Sequence, residues 1–478
     1  MKRFRLPWAV RLLGRGYRRR HRLTDWKTEL KATLRLALPL VALQLGQVAI
    51  ETTDVVMMGW LGQDSLAAGA LAVHVFMFFW LFTLGVLSAV APMISQAIGA
   101  LDEVGARRTV RQGLWAAVLV SLPSMSVLWY SEDLLLLIGQ TPQVAAEAQT
   151  YLRAALWAFP ASMGFVVLRY FIAALSRPRA AMVAMLSCVL LNIGLNALLM
   201  FGMLGFPRLE LLGAGISTAV VHTAMFLGLL VYVLKDSQFR RYDLLVRFWK
   251  PDWQRFRQLL ALGLPIGMVL MSEAGLFAVS SLMMGWLGTT ALAAHAVAMQ
   301  CATVTFMMPL GVSQAATVRI GLAAGAGSAE GVRQAGWIAL ALGLAFMSLS
   351  ALMFVTIPEV LIGAFLNPDN PDNAEAFALG ISFLAVAAFF QLADAGQVVG
   401  GGMLRGLSDT RIPMIYAGLG YWGVGIGTAW VLAFPLDYGG EGIWMGLAVG
   451  LTTVAIMAIW RFSRRSELGL LEKAVYRG

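Results

Sequence analysis

The sequence predicts an all-α integral membrane protein. It has twelve transmembrane helices in two homologous six-helix lobes, a parallel repeat about a pseudo-twofold axis along the membrane normal. Three observations lead there. Hydrophobic residues make up 59% of the 478 and charged residues only 13%, against ~25% charged in soluble domains, so lipid must solvate most of the chain. Apolar runs near the ~20 residues needed to cross a bilayer recur along its length. The second half also repeats the first.

In chain order, residues 1–33 form a basic tail without a cleavage-site pattern, expected to stay on the cytoplasmic side rather than act as a signal peptide. Spans follow near 34–58, 68–97, 112–130, 148–174, 180–202 and 211–234, making an N-terminal lobe over 34–234. A basic linker over 235–258 leads to spans near 259–286, 292–320, 335–357, 376–404, 412–434 and 442–462. These form the C-terminal lobe, 259–463, followed by a tail over 464–478. Lipid offers no partner to an open backbone group, which selects helices. A transmembrane barrel would need ~10-residue alternating segments, and there are none.

Lys and Arg set the orientation. Clusters at Arg107-Arg108, Arg177, Arg240-Arg241 and Arg464-Arg465 fall on one side, while Glu132-Asp133, Asp369, Asp372 and Asp437 fall on the other. Only Arg153 and Arg208 among the basic residues lie on the acidic side. An even number of spans then puts both termini in the cytoplasm. The net charge of +10 thus reads as membrane topology, not nucleic-acid binding.

The repeat is specific. Pro39 and Pro265 stand 226 residues apart, and at that offset Met57-Met58-Gly59-Trp60-Leu61-Gly62 returns as Met283-Met284-Gly285-Trp286-Leu287-Gly288. Leu66-Ala67-Ala68 returns as Leu292-Ala293-Ala294, and Ser176 with Met182 matches Ser408 with Met414 at an offset of 232. Two halves entering from the same side are a transporter design, with the binding site expected between the halves.

Four acids fall inside spans: Glu51 and Asp54 in the first, Glu273 in the seventh and Asp394 in the tenth. Each costs ~2.5–3.5 kcal/mol at a helix centre facing lipid, so a cavity is their expected neighbour. Gln44, Gln47, Glu51 and Asp54 follow helical spacing and make one polar stripe. Glu51 and Asp54, one turn apart, repel and are expected to share a proton or one Na⁺; the other reading is that they reach headgroup water. Asn192 with Asn196, and Gln391 with Asp394 and Gln397, also share faces. These amides admit two readings, a ligand cavity or interhelical hydrogen bonds. Glycines crowd the eleventh span and Gly400–Gly402 for close helix packing. The 25 methionines suit an adaptable drug cavity or simple filler.

No phosphate-binding Gly-x-x-x-x-Gly-Lys-Ser/Thr loop occurs, and His21, His74, His222 and His295 lack metal-ligand spacing. Cys188 and Cys301 lie in apolar runs and make neither a disulfide framework nor a thiolate site. No catalytic cluster points to an enzyme, and no cofactor is expected beyond a coupling ion.

Gln391-Leu392-Ala393-Asp394-Ala395-Gly396-Gln397, then Arg405-Gly406-Leu407-Ser408-Asp409-Thr410-Arg411 and Pro413, resemble the multidrug and toxic compound extrusion (MATE) family, in its NorM-like branch. Thr53-Asp54 with Met58-Gly59, Leu264-Pro265 with Glu273, and Asn192 with Asn196 before Phe201-Gly202 extend the resemblance over about 34–463. It implies export of cationic amphipathic compounds from a bacterial inner membrane by antiport against Na⁺ or H⁺. It implies one cation site near Glu273 and Asp394 and another near Asp54, Asn192 and Asn196; the polar stripes put Gln44, Gln47, Glu51, Gln391 and Gln397 toward the substrate cavity. Glu51 and the basic stretch Met1–Lys31 depart from the family pattern. Partners are then small cationic substrates and membrane lipid, with the protein as a monomer. A lipid-linked oligosaccharide flippase would want a cationic cavity, and a membrane-embedded lipid hydrolase would want a catalytic cluster.

Overall fold

The computed structural model describes residues 26–367 and 370–474; most of the basic tail and Asp369 lie outside the described residues. Among the described residues ten helices are long and apolar enough to cross a membrane, a bent pair makes an eleventh, and three contiguous stretches complete a twelve-helix layout. The first lobe comprises α1 (Trp26–Gly59), α2 (Gln63–Gly99), α3 (Glu103–Trp129), α4, α5 (Arg179–Phe201) and α6 (Glu210–Lys235). Here α4 is a pair, Pro142–Ala155 and Ala158–Ala174, bent by 46°. The second lobe comprises α7 (Trp253–Leu287), α8 (Thr289–Gly325), α9 (Ala329–Thr356), α10 (Ala374–Gly406), α11 and α12 (Gly439–Ser463). Three contiguous stretches form α11: Arg411–Ala417, a π-helical Gly418–Ile426 and Gly427–Ala433.

The sequence repeat is written into the backbone. Gly62 (φ 134°, ψ 171°) and Gly288 (φ 128°, ψ 166°) cap α2 and α8 in one unusual conformation that only glycine adopts readily. Ser176 and Ser408 both take positive φ, 61° and 59°. Asp102 and Ser328 each cap the next helix by accepting from a backbone N–H three residues on, at Gly105 and Gly331.

Helix boundaries run past the hydropathy boundaries at the basic end. α1 starts at Trp26 instead of 34, and α7 at Trp253 instead of 259. A hydropathy window stops at Lys27, Glu29 and Lys31, but the helix continues because Glu29 is buried and ion-paired with Arg319 of α8. The stretch between the lobes is packed and ordered rather than a free linker. Arg111 Nη1 donates to the Arg247 carbonyl at 2.8 Å, Trp115 Nε1 donates to that of Phe248 at 3.1 Å, and Phe239 and Tyr242 pack on Phe171.

The hydrophobic core is shared at one end and divided at the other. One cluster draws on both lobes, from Leu36, Ile94 and Phe171 to Val318, Leu340 and Met403. Toward the acidic end it gives way to two separate clusters. Phe76, Phe159 and Met200 belong to the first lobe, and Leu276, Phe383 and Trp444 to the second. Glycine allows the close approach where the lobes join: Gly263 lies against the Val86 carbonyl, Gly99 against that of Leu322 and Gly325 against that of Gln96. Gln96 Nε2 adds bonds to the Gly406 carbonyl (3.0 Å) and Ser408 Oγ (2.9 Å). At the acidic end the ring contacts Trp60–Phe201 and Trp286–Trp430 each stay inside one lobe. The lobes are therefore clamped together at the basic end.

Candidate functional site

Each lobe builds its own buried acid cluster. In the first, α1 carries Asp54 to the face that meets α5. Asp54 Oδ1 accepts from Asn192 Nδ2 at 3.0 Å and from Asn196 Nδ2 at 2.6 Å, and all three residues are buried. Spacing explains why one oxygen has two donors: residues four apart on α5 lie one above the other. The Thr218 hydroxyl of α6 is also within reach of this carboxylate, and Tyr151 of α4 lies behind it, 3.4 Å from Thr218 Oγ1. The carbonyl oxygens of Asn192 and Asn196 are buried without a partner. Together with the carboxylate they are hard oxygen donors, the kind that small alkali cations accept.

The polar stripe on α1 divides its hydrogen bonds among different partners. Gln44 Oε1 accepts from Arg169 Nη1 at 3.4 Å, and Gln47 Nε2 donates to Glu51 Oε1 at 2.9 Å. Glu51 is half-buried and faces back along its own helix. Asp54 alone of the four joins the asparagines.

In the second lobe two helices bring their acids to one amide. Gln397 Nε2 donates to Glu273 Oε1 of α7 at 2.8 Å and to Asp394 Oδ1, one turn away on α10, at 3.1 Å. The other end of that amide is used as well: Gln397 Oε1 accepts from Tyr421 Oη of α11 at 2.8 Å. Glu273, Asp394 and Tyr421 thus all meet at one side chain. Gln391 does not join it. Its Nε2 donates to Thr305 Oγ1 (2.6 Å) on α8 and Ser350 Oγ (3.2 Å) on α9, which is the interhelical tie.

None of Asp54, Glu273 and Asp394 forms an ion pair, and their partners are neutral amides and hydroxyls. Arg405, half-buried on α10, instead donates to Ser313 Oγ at 2.8 Å. Among the described residues no group of three His, Cys, Asp or Glu is placed to hold a metal ion. Tyr421 and Thr218 had no distinguishing signal in sequence. A lone tyrosine in a glycine-rich span and a threonine in an apolar one read as packing.

A family model supplies the deciding observation: MatE matches residues 39–198 and 265–431, one block in each lobe. The chain belongs to the MatE family. It is a multi-pass membrane transporter, not an enzyme. Among its relatives, "Probable multidrug resistance protein NorM" of Mesorhizobium japonicum is 47% identical over 93% of this chain and 95% of that one. A protein of the same name from Brucella suis biovar 1 is 44% identical over 92% and 94%. The MatE fold is also that of the solved structure of the eukaryotic MATE transporter AtDTX14, with a TM-score of 0.84 at 21% identity, covering 94% of this chain and 98% of that one. The two MatE blocks cover Asp54, Asn192, Asn196, Glu273, Asp394, Gln397 and Tyr421.

Proposed function

We propose that this transporter exports cationic amphipathic compounds by multidrug antiport, driven by Na⁺ or H⁺ and working as a monomer by alternating access. One observation carries the reading. Glu273 and Asp394 are drawn together on a single neutral amide without a basic counter-ion in contact. Two carboxylates held this way, Asp394 buried and Glu273 half-buried, repel, and removing them from water is costly unless a proton, a metal cation or a cationic substrate neutralises them. Occupancy by the coupling ion and by the drug then compete for the same negative charge. The names of the bacterial relatives agree with drug as the cargo. The division of the core, shared at one end and split at the other, agrees with two lobes that rock against each other.

Energetics bound the cycle. One elementary charge crossing ~100 mV is worth ~2.3 kcal/mol. Exchange of one monovalent drug cation for one coupling ion moves no net charge, so it draws only on the ion's concentration gradient. The test uses purified protein in liposomes loaded with a fluorescent cationic dye. Imposing an inward Na⁺ or H⁺ gradient should start dye efflux, and efflux indifferent to both gradients would sink the coupled reading.

The charge asymmetry supports a topology with the basic end and both termini on the cytoplasmic side of a bacterial inner membrane. The clamped state then faces outward. A membrane-impermeant thiol reagent applied to intact cells should label a cysteine put at Asn370 and spare one put at Ser237. The opposite pattern would reverse the proposed direction of export.

A further inference from the structure

We propose that the first lobe binds one anionic phospholipid from the leaflet at its basic end, in a groove between the starts of α1 and α5. Two depressions of about 530 Å³ each adjoin there and share Arg35 and Arg179. Lys27, Lys31 and Arg35 follow one another at four-residue spacing, so they stack along one face of α1. From Lys27 to Arg35 is ~12 Å of helix, more than the ~5–8 Å thickness of one headgroup layer. Arg177 and Arg179, on the turn into α5, close the groove from the other side.

Polarity changes along the groove in the order a phospholipid requires. Beyond the basic rim its wall is Leu34, Leu38, Pro39 and Met182. Phosphate belongs between Arg35 and Arg179, and an acyl chain along the leucines. A free inorganic anion would use only the basic half and leave the apolar half in water or lipid without a role.

Among the described residues only Arg177 of these five cations has an acidic partner. No acid lines either depression. Arg177 has a long 3.5 Å pair with Asp236, while Lys27, Lys31, Arg35 and Arg179 have no hydrogen bond or ion pair with any described residue. Glu29, the acid on the same turn of α1, is turned the other way and committed to Arg319. The sequence just upstream sets four arginines, Arg18, Arg19, Arg20 and Arg22, against the single acid Asp25, so its net sign is the same as that of the groove. Basic pockets between helices at this depth are a recognised form of anionic-lipid recognition. This site is separate from the acid clusters, and the inference does not depend on what is transported.

The experiment titrates the purified full chain in mild detergent with dioleoyl phosphatidylglycerol or dioleoyl phosphatidylcholine and counts bound lipid by native mass spectrometry. Wild type should retain the anionic lipid over the zwitterionic one, and millimolar inorganic phosphate should not displace it. Each basic residue near an anionic headgroup is worth roughly fivefold. Arg35→Gln with Arg179→Gln should therefore weaken retention roughly 25-fold, and each single change roughly fivefold. Arg35→Lys with Arg179→Lys should keep most of it, and Lys235→Gln, at the same end but outside the groove, should match wild type. Monodisperse gel filtration establishes that each variant is folded; if the double Gln variant is not, the single changes decide. The inference is overturned by a folded Gln variant that retains the lipid as wild type does. Equal retention of phosphatidylcholine would overturn it too, as would displacement by inorganic phosphate.

Discussion

The two lobes share a backbone plan and differ in where they keep their charge. At the offset of 226, Asp54 corresponds to Ser280 and Glu273 to Gln47. At the offset of 232, Asn192 and Asn196 correspond to Val424 and Thr428, while Asp394 and Gln397 correspond to Ser162 and Phe165. The first lobe thus sets one acid of α1 against two amides of α5. The second sets an acid of α7 and an acid of α10 against one amide of α10, with Tyr421 of α11 behind it. The pairing helices differ in shape as well. α5 is regular over Arg179–Phe201, whereas the matching α11 has a π-helical centre at Gly418–Ile426. Its glycines meet α12 backbone to backbone, as at Gly425 and Gly450. Duplication preserved the scaffold, because capping and close approach depend on backbone. It did not preserve the chemistry, because a buried acid needs only one helix face that can solvate it.

Six substitutions test that division, the strongest first. Glu273→Gln or Asp394→Asn in the second lobe should each reduce gradient-driven dye efflux to the background rate with expression unchanged. Normal efflux in either mutant removes that residue from the coupling cluster. In the first lobe Asp54→Asn replaces one charge that has neutral partners only. Efflux should fall by about tenfold, equivalent to ~1.4 kcal/mol, less than in the second lobe. A larger loss than Asp394→Asn would invert the ranking of the lobes.

Two glutamines on α10 sharpen the contrast within one helix. Gln397→Leu takes the common donor from two acids and the acceptor from Tyr421, and should raise the Na⁺ or H⁺ concentration needed for half-maximal efflux. Gln391→Leu breaks the tie to Thr305 and Ser350 and should cost ~1–3 kcal/mol of stability. Its ion dependence should match wild type; if the two mutants shift together, Gln391 belongs with the acids. The smallest effect belongs to Glu51. Its carboxylate is turned to Gln47 rather than to the asparagines, so Glu51→Gln should leave the pH profile of transport close to that of wild type. A displaced profile would restore the pairing of Glu51 with Asp54 that their spacing suggests.

Much of this site was legible in the chain. An acid inside an apolar span stands out because lipid tolerates it so poorly, and that picked out Asp54, Glu273 and Asp394. Spacing of four placed Asn192 over Asn196. Spacing also put Gln391 beside Asp394 and Glu51 beside Asp54, and there it could not discriminate. Residues on one helix face fan across an arc and meet different neighbours. Gln391 meets α8 and α9, Gln397 meets α7 and α11, and Glu51 takes its hydrogen bond from Gln47 of its own helix.

By itself the sequence determined the solvent, the number of spans, the sidedness of charge and the duplication, since each rests on quantities that add along a chain: apolar length, Lys and Arg count, residue-by-residue identity. The tertiary structure alone decided which acid pairs with which amide, that Tyr421 closes the second cluster, and that α1 reaches back to Trp26 to place Glu29 against Arg319. It also decided that the lobes share one core at the basic end and keep two at the other. Those outcomes depend on how helices distant in sequence rotate and cross, and a single hydrogen bond of about 3 Å is settled by rotations that leave no trace in hydropathy.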